Sequence, residues 1–538
     1  MKPTFKGKLA QDKNTREVYS HDTSLFEIMP SAVLFPKTIT DIKKLVNYVR
    51  KNKTTNNNLS ITARSAGTDM TGGPLNTSYI IDCTTHLNKL KQFTNKTITV
   101  QPGMFYKDFE TITLKKNLLL PPYPASRELC AIGGMVANNA GGEKSLRYGK
   151  TIDYVTQLKV ILKDGNEYVI KPLDKQALRK KMKQKNVEGQ IYRTLYTLLN
   201  KHYDTIQKAR PQVSKNSSGY NLWDVWDKKT FDLTKLFVGS QGTLGIITEA
   251  TFKLEQKKKH TGMVAIFCKS FDPVIDLVHE ILPTNPTSFE SFDDHTLRLA
   301  LRFFPGFLKS MGAKNLFSLG VQFLPEFLLV LTHGMPKLVL LVEFEEDDKE
   351  LVEEKINAVE ERLKHYPVRT KSMTDPQEIK KYWLIRRESF MLLRNNVKNL
   401  QTAPFIDDFI IQPEHMKYCI PKIIKILEKY NLLYTIIGHI GNGNFHIIPL
   451  MDLSDEHERK KIPKISEEVY DLILKLHGSI TAEHNDGLIR SPYLEKMYGR
   501  DIYKLFERVK DIFDPQNIFN PGKKVGSDLD YAMRHIKH

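Results

Sequence analysis

The chain has 538 residues with a formal net charge of +18, and 41% of its residues are hydrophobic. This composition is typical of soluble proteins that bury a large core, and the length predicts about two to four domains. The four cysteines lack any C-x-x-C spacing, which argues against a disulfide framework, an iron–sulfur cluster or a zinc knuckle. A reducing compartment is therefore favoured.

The positive charge raises the question of nucleic acid or an acidic membrane as a partner. Lysine runs such as 179–185 and 257–259 have no interleaved aromatic residues, so solvated surface is favoured over a nucleic-acid interface. The N-terminal residues lack the apolar core of a signal peptide, and no stretch reaches the ~18 apolar residues of a membrane-spanning helix. We expect a cytoplasmic protein, and a peripheral contact with the inner face of the membrane stays open.

The first half of the chain predicts an α+β domain. Thr40 is a capping residue, and the apolar residues that follow it up to Val49 have helical spacing, which indicates an amphipathic helix. Residues 154–170 alternate around an Asp-Gly pair and predict a β-hairpin. The other predicted elements are strands beginning at Ile61, Tyr79 and Thr97, a helix over 106–116, and lysine-rich helical residues up to about Lys208.

Residues 62–76, TARSAGTDMTGGPLN, form a glycine-rich connection between two of these strands. Glycines and short hydroxyl side chains let consecutive main-chain N–H groups turn toward one anion, which suits a diphosphate. The spacing is neither G-x-G-x-x-G nor G-x-x-x-x-G-K-[ST]. Taken alone, the loop would be interpreted as a tight turn.

Two further glycine-rich stretches support an anion-binding interpretation. One is 121–149, which contains IGGMVANNAGG, and the other is 237–250, FVGSQGTLGIITEA. Together the three stretches resemble the FAD-binding domain of the vanillyl-alcohol oxidase and para-cresol methylhydroxylase (PCMH) superfamily. The resemblance implies that the first loop holds the FAD diphosphate and that the second runs along the flavin. The cofactor-binding residues expected on this basis are Arg64, Ser65, Ala66, Gly67, Thr68, Asp69, Gly73, Pro122, Ser126, Gly133, Gly134, Asn138, Gly141, Gly142, Tyr148, Gly149, Gly242, Ile246, Ile247 and Asn520.

The second half begins after a charged linker at 255–259. Its predicted strands and helices include 264–267, 338–344 and the charged helix 349–365. This part resembles the substrate-binding cap of flavin-linked 2-hydroxyacid dehydrogenases. The apolar stretches 303–308 and 317–331 are broken by proline and glycine, so core or an interface is favoured over a shallow membrane contact.

Two histidines flank a turn sequence in GHIGNGNFH, residues 438–446. The flanking residues predict two strands, and a hairpin with the loop 441–444 would place His439 opposite His446. Directly opposed residues have Cβ atoms ~4.5–5.5 Å apart, which suits two imidazoles that share one cation. Either histidine alone would be interpreted as an ordinary core or surface residue. The pair predicts a metal site.

The dehydrogenase resemblance implies the remaining site residues. The family's E-H-x-x-G element matches Glu483 and His484, which implies that Glu483 is a metal ligand and His484 the catalytic base. Many relatives have glycine after the histidine, where this chain has Asn485. The W-x-x-R element matches 383–386, and its arginine binds the substrate carboxylate, a role that suits a planar guanidinium.

Arg386 and Asn444 are therefore the expected substrate-binding residues, although Arg387 could serve if the register slips. The acidic pair 407–408 is a further family landmark, to which the resemblance gives no definite role.

The resemblance implies an α+β fold with three parts. These are a two-subdomain PCMH-type FAD-binding domain (1–256), an α/β cap of the FAD-linked oxidase C-terminal type (257–480), and a C-terminal segment (481–538) that returns to the FAD domain. The expected reaction is FAD-dependent oxidation of a D-2-hydroxy acid, of the D-lactate or D-2-hydroxyglutarate class, by hydride transfer to flavin N5, assisted by Zn, Mn or Fe. FAD is expected to bind noncovalently, because Thr68 and Asp69 stand where covalently linked relatives often carry a histidine.

The expected electron acceptor is a quinone, an electron-transfer flavoprotein, a separate iron–sulfur protein or oxygen. One alternative is a flavin oxidase or an alkyl-glycerone-phosphate-synthase-like enzyme on the same fold; the set His439, His446 and Glu483 favours the dehydrogenase. The remote alternative is a basic nucleic-acid-binding protein without flavin. Lactate, 2-hydroxyglutarate and glycolate all stay open as substrates.

Overall fold

The structure is a computed structural model that describes residues 3–294, 334–396 and 400–537. The described residues form two compact units. The first unit comprises the chain up to Gly142, Gly149–Lys257 and the chain from Ser479 onward. The second unit comprises Glu143–Tyr148 and Lys258–Gly478. The apolar stretches 303–308 and 317–331, for which core or an interface was favoured, lie outside the described residues.

Two main sheets and a two-stranded ribbon make up the β-structure of the first unit. Its strands are β1 (Lys8–Ala10), β2 (Ala32–Phe35), β3 (Ile61–Arg64), β4 (Tyr79–Asp82), β5 (Leu90–Phe93), β6 (Thr97–Val100), β7 (Leu118–Leu119), β8 (Val155–Ile161), β9 (Glu167–Ile170), β10 (Ile246–Lys253) and β11 (Glu255–Gln256). The first sheet has the order β1-β2-β4-β3, with β4 parallel to β2 and β3. The second has the order β5-β6-β10-β8-β9 and is antiparallel.

The helices of the first unit are Lys13–Tyr19, Ile39–Asn52, Tyr106–Leu114, Ile132–Asn138, Lys175–Lys183, Val187–Lys201, Tyr203–Lys208, Thr234–Phe237, Gly487–Arg490, Leu494–Phe513 and Leu529–Arg534. The helix Ile39–Asn52 confirms the predicted amphipathic helix. It begins with a capping box, in which the Thr38 side chain accepts from the Asp41 N–H and the Asp41 side chain accepts from the Thr38 N–H. The sequence had suggested Thr40 as the capping residue, and the structure shows that it is Thr38.

The C-terminal segment completes the core of the first unit. Ile518 and Phe519 are fully buried in one cluster with Ile42 of the helix Ile39–Asn52. The Ile61 N–H donates to the Ile518 carbonyl at 2.7 Å, and the Asn520 N–H donates to the Ile61 carbonyl at 2.9 Å. Because β3 is the last strand of its sheet, these bonds cover an edge that would otherwise lack a partner.

The second unit is built on one eight-stranded sheet. Its strands are β12 (His260–Cys268), β13 (Ser288–Asp293), β14 (Leu338–Glu346), β15 (Arg369–Met373), β16 (Gln401–Thr402), β17 (Phe409–Ile410), β18 (Leu433–His439) and β19 (Asn444–Met451). The order is β15-β12-β14-β13-β18-β19-β16, and β17 also pairs with β19. The pairs are antiparallel.

Helices cover both faces of this sheet. They are Ser145–Tyr148, Val274–Ile281, Lys349–Leu363, Pro376–Asn396, Met416–Lys429, Glu456–Arg459 and Lys461–Lys475. The helix Pro376–Asn396 packs on the Met263 side of β12 through Tyr382 and Trp383. Side chains alternate along a strand, so the neighbouring Gly262 faces the other side. There a Cβ would lie 2.5 Å from Val352, which shows how closely Lys349–Leu363 approaches.

Most of the predicted elements are confirmed. The hairpin of β8 and β9 turns at Gly165, whose φ is +77°, and β18 and β19 occur where strands were expected. The predicted linker 255–259 is partly wrong, because β11 pairs with β7. Within the described ranges, every helix is too short or too polar to cross a bilayer.

A buried ion pair fixes the segment that follows Ser479 within the first unit. The Lys524 Nζ donates to the Asp486 carboxylate at 2.7 Å, and both side chains are 0% exposed. The same ammonium donates to the carbonyls of Ser217 (3.1 Å) and Gly219 (2.8 Å). One cation therefore joins three separate parts of the chain.

We expect Asp486→Ala to lower the free energy of unfolding by about 3–5 kcal/mol, because the Lys524 ammonium would stay buried without its counter-charge. Urea denaturation followed by circular dichroism measures this change. The control Glu456→Ala removes the partner of Lys460 in a pair whose side chains are 68% and 65% exposed, and it should leave the unfolding midpoint unchanged. Equal midpoints for the wild type and Asp486→Ala would contradict the assignment.

Candidate active site

The hairpin of β18 and β19 carries both histidines predicted to bind a metal. Its register places His439 opposite Asn444 and His446 opposite Ile437, so the predicted pairing of His439 with His446 is wrong. The turn causes the difference, because Ile440–Asn442 form a single 3-10 turn and Gly443 takes a left-handed φ of +73°. A two-residue shift keeps each side chain on the same face of the sheet. Both histidines therefore still face the same side.

The two imidazoles lie side by side between two carboxylates. The ring centroids of His439 and His446 are 5.2 Å apart. His439 Nδ1 lies 2.7 and 2.8 Å from the Glu290 carboxylate oxygens, and His446 Nδ1 lies 3.0 Å from Asp407 Oδ1. Glu290 belongs to β13, beside β18, and Asp407 precedes β17, beside β19. We call these four side chains the imidazole row.

The carboxylates define how the imidazoles are presented. All four side chains of the imidazole row are buried, with at most 7% of any of them exposed. A carboxylate accepts the Nδ1–H of a neutral imidazole, which leaves the lone pair on Nε2. Metal-binding histidines almost always have such a partner on the other ring nitrogen. The imidazole row thus has the donor chemistry of a metal site.

Arg386 lies against the imidazole row. It is 3% exposed and forms an ion pair with Glu290, and its Nη2 is 3.5 Å from His439 Nδ1. Trp383, three residues earlier on the same helix, donates to Glu343 at 2.8 Å, so the W-x-x-R spacing places both side chains on the face toward the sheet. Arg387 instead pairs with Glu143. The structure distinguishes the two candidate arginines, and only Arg386 lies against Glu290.

Asp408 and Asn444 lie close to His446. Ligand atoms of Asp408 and His446 are within 4.8 Å of each other. The Asn444 Nδ2 donates to Asp408 Oδ1 at 3.2 Å and to the Phe409 carbonyl at 3.1 Å. The predicted substrate-binding amide of Asn444 is thus held by its neighbours in the second unit. Its role toward substrate stays a prediction.

In the first unit, Glu483 and His484 lie on a segment that several side chains hold in place. The Glu483 carboxylate accepts from the Lys215 Nζ at 3.0 Å, and the Lys215 side chain is 1% exposed. Lys150 Nζ donates to the Ala482 carbonyl at 2.8 Å and to Ser217 Oγ at 2.8 Å. Ligand atoms of Glu483 and His484 are within 4.8 Å of each other.

The residue after His484 explains the departure from the family's glycine. Asn485 has a φ of +73°, a left-handed conformation that glycine adopts readily and asparagine tolerates best among other residues. Its Nδ2 donates to the carbonyls of Asn138 and Gly239, both at 3.0 Å. Asparagine thus keeps the required backbone and ties this segment to the glycine-rich stretches.

The first glycine-rich loop has the geometry of an anion site. The main-chain N–H groups of the four residues 65–68 have no acceptor among the described residues. Gly67 turns the chain there with a φ of +73°. The loop carbonyls point elsewhere, since Thr23 donates to the carbonyls of Thr68 and Asp69. The four N–H groups could therefore all donate to one diphosphate.

Asp69 shapes this loop instead of facing solvent. Its Oδ2 accepts the N–H groups of Thr71 at 3.0 Å and Gly73 at 2.8 Å, and its Oδ1 accepts from Asn138 Nδ2 at 2.6 Å. Gly133 permits the second stretch to approach, because a Cβ there would lie 2.6 Å from Ser65 Oγ. The first and second stretches are thereby fixed against each other.

The third stretch and the C-terminal segment join the same group. Gln241 Nε2 donates to Asn138 Oδ1 at 3.2 Å. Asn520, 1% exposed, donates to the carbonyls of Gly73 and Gln241 and accepts from Thr62 Oγ1 at 2.8 Å. The amide of Asn520 thus links the loops. Its contact with FAD stays a prediction.

Two titratable groups are buried beneath the first loop. Burial raises the pKa of Asp22 to about 7, and the nearby Asp69 adds to this shift. Burial lowers the pKa of Lys523 to about 7, against the attraction of Asp22 and Asp69. Both shifts favour the neutral form. The Lys523 Nζ donates to the carbonyls of Leu75 at 2.5 Å and Pro521 at 3.3 Å.

The other predicted cofactor residues occupy defined positions. In the first unit, Arg64 ends β3 and donates to the carbonyls of Tyr19 and His21. Within the second unit, Tyr148 ends the short helix Ser145–Tyr148. The remaining first-unit positions are Pro122 and Ser126 before the helix Ile132–Asn138, Gly134 in it, Gly141, Gly142 and Gly149 after it, Gly242 before β10, and Ile246 and Ile247 at its start.

Both expected groups fit the donor chemistry of these residues. The N–H groups of 65–68 suit the diphosphate of FAD, and the imidazole row suits a divalent cation. Comparison with known families tests whether the chain has an FAD-binding domain. Residues 30–171 match the family model "FAD binding domain", and residues 257–524 match "FAD linked oxidases, C-terminal domain".

The chain therefore contains an FAD binding domain and an FAD-linked oxidase C-terminal domain. It is 27% identical to the D-2-hydroxyglutarate dehydrogenase of Haemophilus influenzae, over 96% of its own length and 50% of the relative's. It is 26% identical to the glycolate oxidase subunit GlcD of Bacillus subtilis, over 95% and 93% of the two chains. The chain spans about half the length of several curated D-2-hydroxyglutarate dehydrogenases that it matches.

The fold comparison agrees with the sequence. The structure of p-cresol methylhydroxylase with substrate bound matches this chain with a TM-score of 0.66 and 15% identity, over 97% of this chain and 94% of the other. At this identity the similarity shows the fold alone. The predicted PCMH-type fold and FAD-binding domain are confirmed. Neither family model describes a nucleic-acid-binding domain.

Sequence reasoning missed Glu290 and gave no role to the pair 407–408. The pair could have been found from its pattern, since two adjacent acids stand in the apolar sequence PFIDDFII, where an unpaired carboxylate would be costly. Glu290 lies on a strand whose six residues are all buried. Its partner His439 is 149 residues away in the sequence, so only the strand order brings the two together.

We expect Gly67→Ala to weaken FAD binding by about tenfold or more, since a Cβ at φ +73° is strained and would lie 2.3 Å from the Arg64 guanidinium. Flavin fluorescence titration of the apoprotein measures the dissociation constant. The control Gly526→Ala has a similar φ of +62° with nothing within 4 Å of the added Cβ. It should bind FAD like the wild type, and equal weakening in both variants would contradict the loop assignment.

Proposed function

We propose that this protein oxidises a D-2-hydroxy acid to the 2-oxo acid. The observation that carries the proposal is the imidazole row with Arg386 beside it, because it combines metal-ligand chemistry with a guanidinium suited to a carboxylate. The names of the relatives, a D-2-hydroxyglutarate dehydrogenase and a glycolate oxidase subunit, support a 2-hydroxy acid as substrate.

Two bound groups complete the proposed site. FAD, held noncovalently, would supply the hydride acceptor at N5. A divalent Zn, Mn or Fe would supply a Lewis acid for the substrate oxygens. We propose that His439, His446 and Glu483 hold the cation, with Glu483 assigned from its sequence element.

The protein side chains perform the remaining steps of the proposed reaction. Arg386 binds the substrate carboxylate through charge-assisted hydrogen bonds, and Asn444 is proposed as a second polar contact. His484 accepts the proton of the C2 hydroxyl as the hydride leaves C2 with its electron pair. The C–O single bond becomes a carbonyl, and a 2-oxo acid is released. The two electrons and the proton of the hydride would then go to the electron acceptor. The proton on His484 returns to solvent.

The partners are proposed from the same chemistry. A quinone, an electron-transfer flavoprotein, a separate iron–sulfur protein or oxygen would accept the electrons. D-Lactate, D-2-hydroxyglutarate and glycolate are the substrate candidates. We propose a cytoplasmic location because the four cysteines are buried and free. Peripheral contact with the membrane is compatible with the net charge of +18.

We expect a D-2-hydroxy acid to bleach the flavin absorbance near 450 nm anaerobically, while its L-enantiomer does not. Stopped-flow spectroscopy of the purified, FAD-loaded protein with a panel of D- and L-acids and glycolate measures the rate. A chelator should abolish the bleaching, and an added divalent metal should restore it. A flavin that dithionite reduces but no hydroxy acid reduces would refute the proposed reaction.

We expect His484→Ala to lower the rate of flavin reduction by about 10²–10⁴-fold, because a positioned general base contributes that much. Single-turnover reduction at saturating substrate measures the loss, and bound FAD should be unchanged. His457→Ala is the matched control, since His457 is exposed on the helix Glu456–Arg459. A full reduction rate in His484→Ala would exclude this histidine as the base.

A further inference from the structure

Glu290 has two partners, His439 and Arg386, that belong to different parts of the proposed chemistry. Its oxygens lie 2.7 and 2.8 Å from His439 Nδ1, and its Oε2 also pairs with Arg386. The side chain is 1% exposed. A proposed metal ligand and the proposed substrate-binding arginine therefore share one buried carboxylate.

We infer that Glu290 is a positioning residue that sets the His439 ring for the cation and the Arg386 guanidinium for the substrate at the same time. This inference rests on the proposed function and adds a residue that neither the sequence elements nor the expected ligand set contains. Glu290 is assigned no contact with substrate, flavin or metal. It acts through the two side chains that it holds.

The orientation of the His439 ring follows from hydrogen-bond geometry. The pair Ser291 and Gly438 are opposed across β13 and β18, so one step along the strands brings Glu290 opposite His439. The carboxylate accepts the Nδ1–H, which fixes the tautomer with the lone pair on Nε2 and restricts rotation of the ring. Loss of such a partner typically weakens metal binding about 10–100-fold.

The orientation of the Arg386 guanidinium follows from charge. A long arginine side chain loses much rotational freedom when it is held in one orientation, and a buried carboxylate is a strong fixed acceptor for it. Trp383 fixes the preceding turn of the helix through Glu343, so Glu290 determines where the guanidinium itself lies. Arg386 is thereby prepared for a carboxylate before substrate arrives, which lowers the entropy lost on binding.

Asp407 provides a natural comparison. It holds His446 Nδ1 at 3.0 Å, as Glu290 holds His439, but it lies at the other end of the imidazole row, beyond β19. Its loss should weaken the cation site without moving Arg386. Glu143, which pairs with Arg387, is the control for loss of a neighbouring buried carboxylate.

The experiment compares Glu290→Gln, Asp407→Asn and Glu143→Gln in the FAD-loaded full chain. Glu290→Gln keeps the size of the side chain, but one amide oxygen replaces two charged acceptors, and the amide NH₂ would face a donor. Competition with a chromophoric chelator measures the affinity for Zn²⁺ alone. Anaerobic flavin reduction at saturating metal separates the substrate concentration for half-maximal rate from the maximal rate.

We expect Glu290→Gln to weaken Zn²⁺ binding about 10–100-fold and to raise the half-saturating substrate concentration about tenfold. Asp407→Asn should weaken Zn²⁺ binding to a similar extent but leave half-saturation near the wild-type value, and Glu143→Gln should change neither. Circular dichroism checks that each variant is folded. If Glu290→Gln does not fold, Glu290→Asp replaces it, with the same direction expected in both measurements.

Wild-type Zn²⁺ affinity and wild-type half-saturation in folded Glu290→Gln would overturn the inference. Weakened Zn²⁺ binding with unchanged half-saturation would also overturn it, because the shared role toward Arg386 would be lost. The Zn²⁺ measurement does not depend on turnover. If no hydroxy acid reduces the wild-type flavin while Glu290→Gln still loses Zn²⁺ affinity, the proposed function fails and the positioning of His439 stands. A wild type that reduces its flavin but binds no divalent cation refutes the inference alone.

Discussion

The imidazole row joins four buried side chains from neighbouring strands of the second unit, and its carboxylates determine where the imidazole nitrogens point. Glu290 and Asp407 accept the Nδ1–H of His439 and His446 from the two ends of the row, which selects the tautomer with the lone pair on Nε2. The proposed metal chemistry depends on this constraint, since ligand orientation contributes nearly as much to a metal site as ligand identity.

Buried charge recurs through the described residues, and three buried cations pair directly with carboxylates. Lys524 pairs with Asp486, Lys215 with Glu483, and Arg386 with Glu290. A buried ion pair adds little net stability compared with apolar packing, because removing both charges from water is costly. Such pairs are better understood as fixing one arrangement of loops. In the first unit they hold the segment that carries Glu483 and His484 in a single conformation.

In the loop at 65–68 of the first unit, the main-chain N–H groups and the carbonyls have different hydrogen-bonding roles. Its main-chain N–H groups have no acceptor among the described residues, while its carbonyls and the side chain of Asp69 hold its shape. Asn138, Gln241 and Asn520 then join the three glycine-rich stretches to the C-terminal segment. Asp69 is thus compatible with an anion site, because its carboxylate accepts hydrogen bonds from neighbouring N–H groups.

The sequence by itself determined the family, the order of strands and helices, and the residue types of the site, because glycine-rich loops, alternating strands and the elements around Arg386, His439 and Glu483 are local patterns. Local patterns do not fix register, so the turn at 440–443 shifted the predicted hairpin by two residues. They also do not pair distant strands. Glu290 and Asp407 meet the two histidines only through the order β13-β18-β19 and the pairing of β17 with β19. Arg386 lies against Glu290 and Arg387 against Glu143 because their helix docks on the sheet. Only the tertiary structure shows the hairpin register and the partners of the buried carboxylates. The cation or donor beside each carboxylate lies far away in the sequence, so no local pattern contains both.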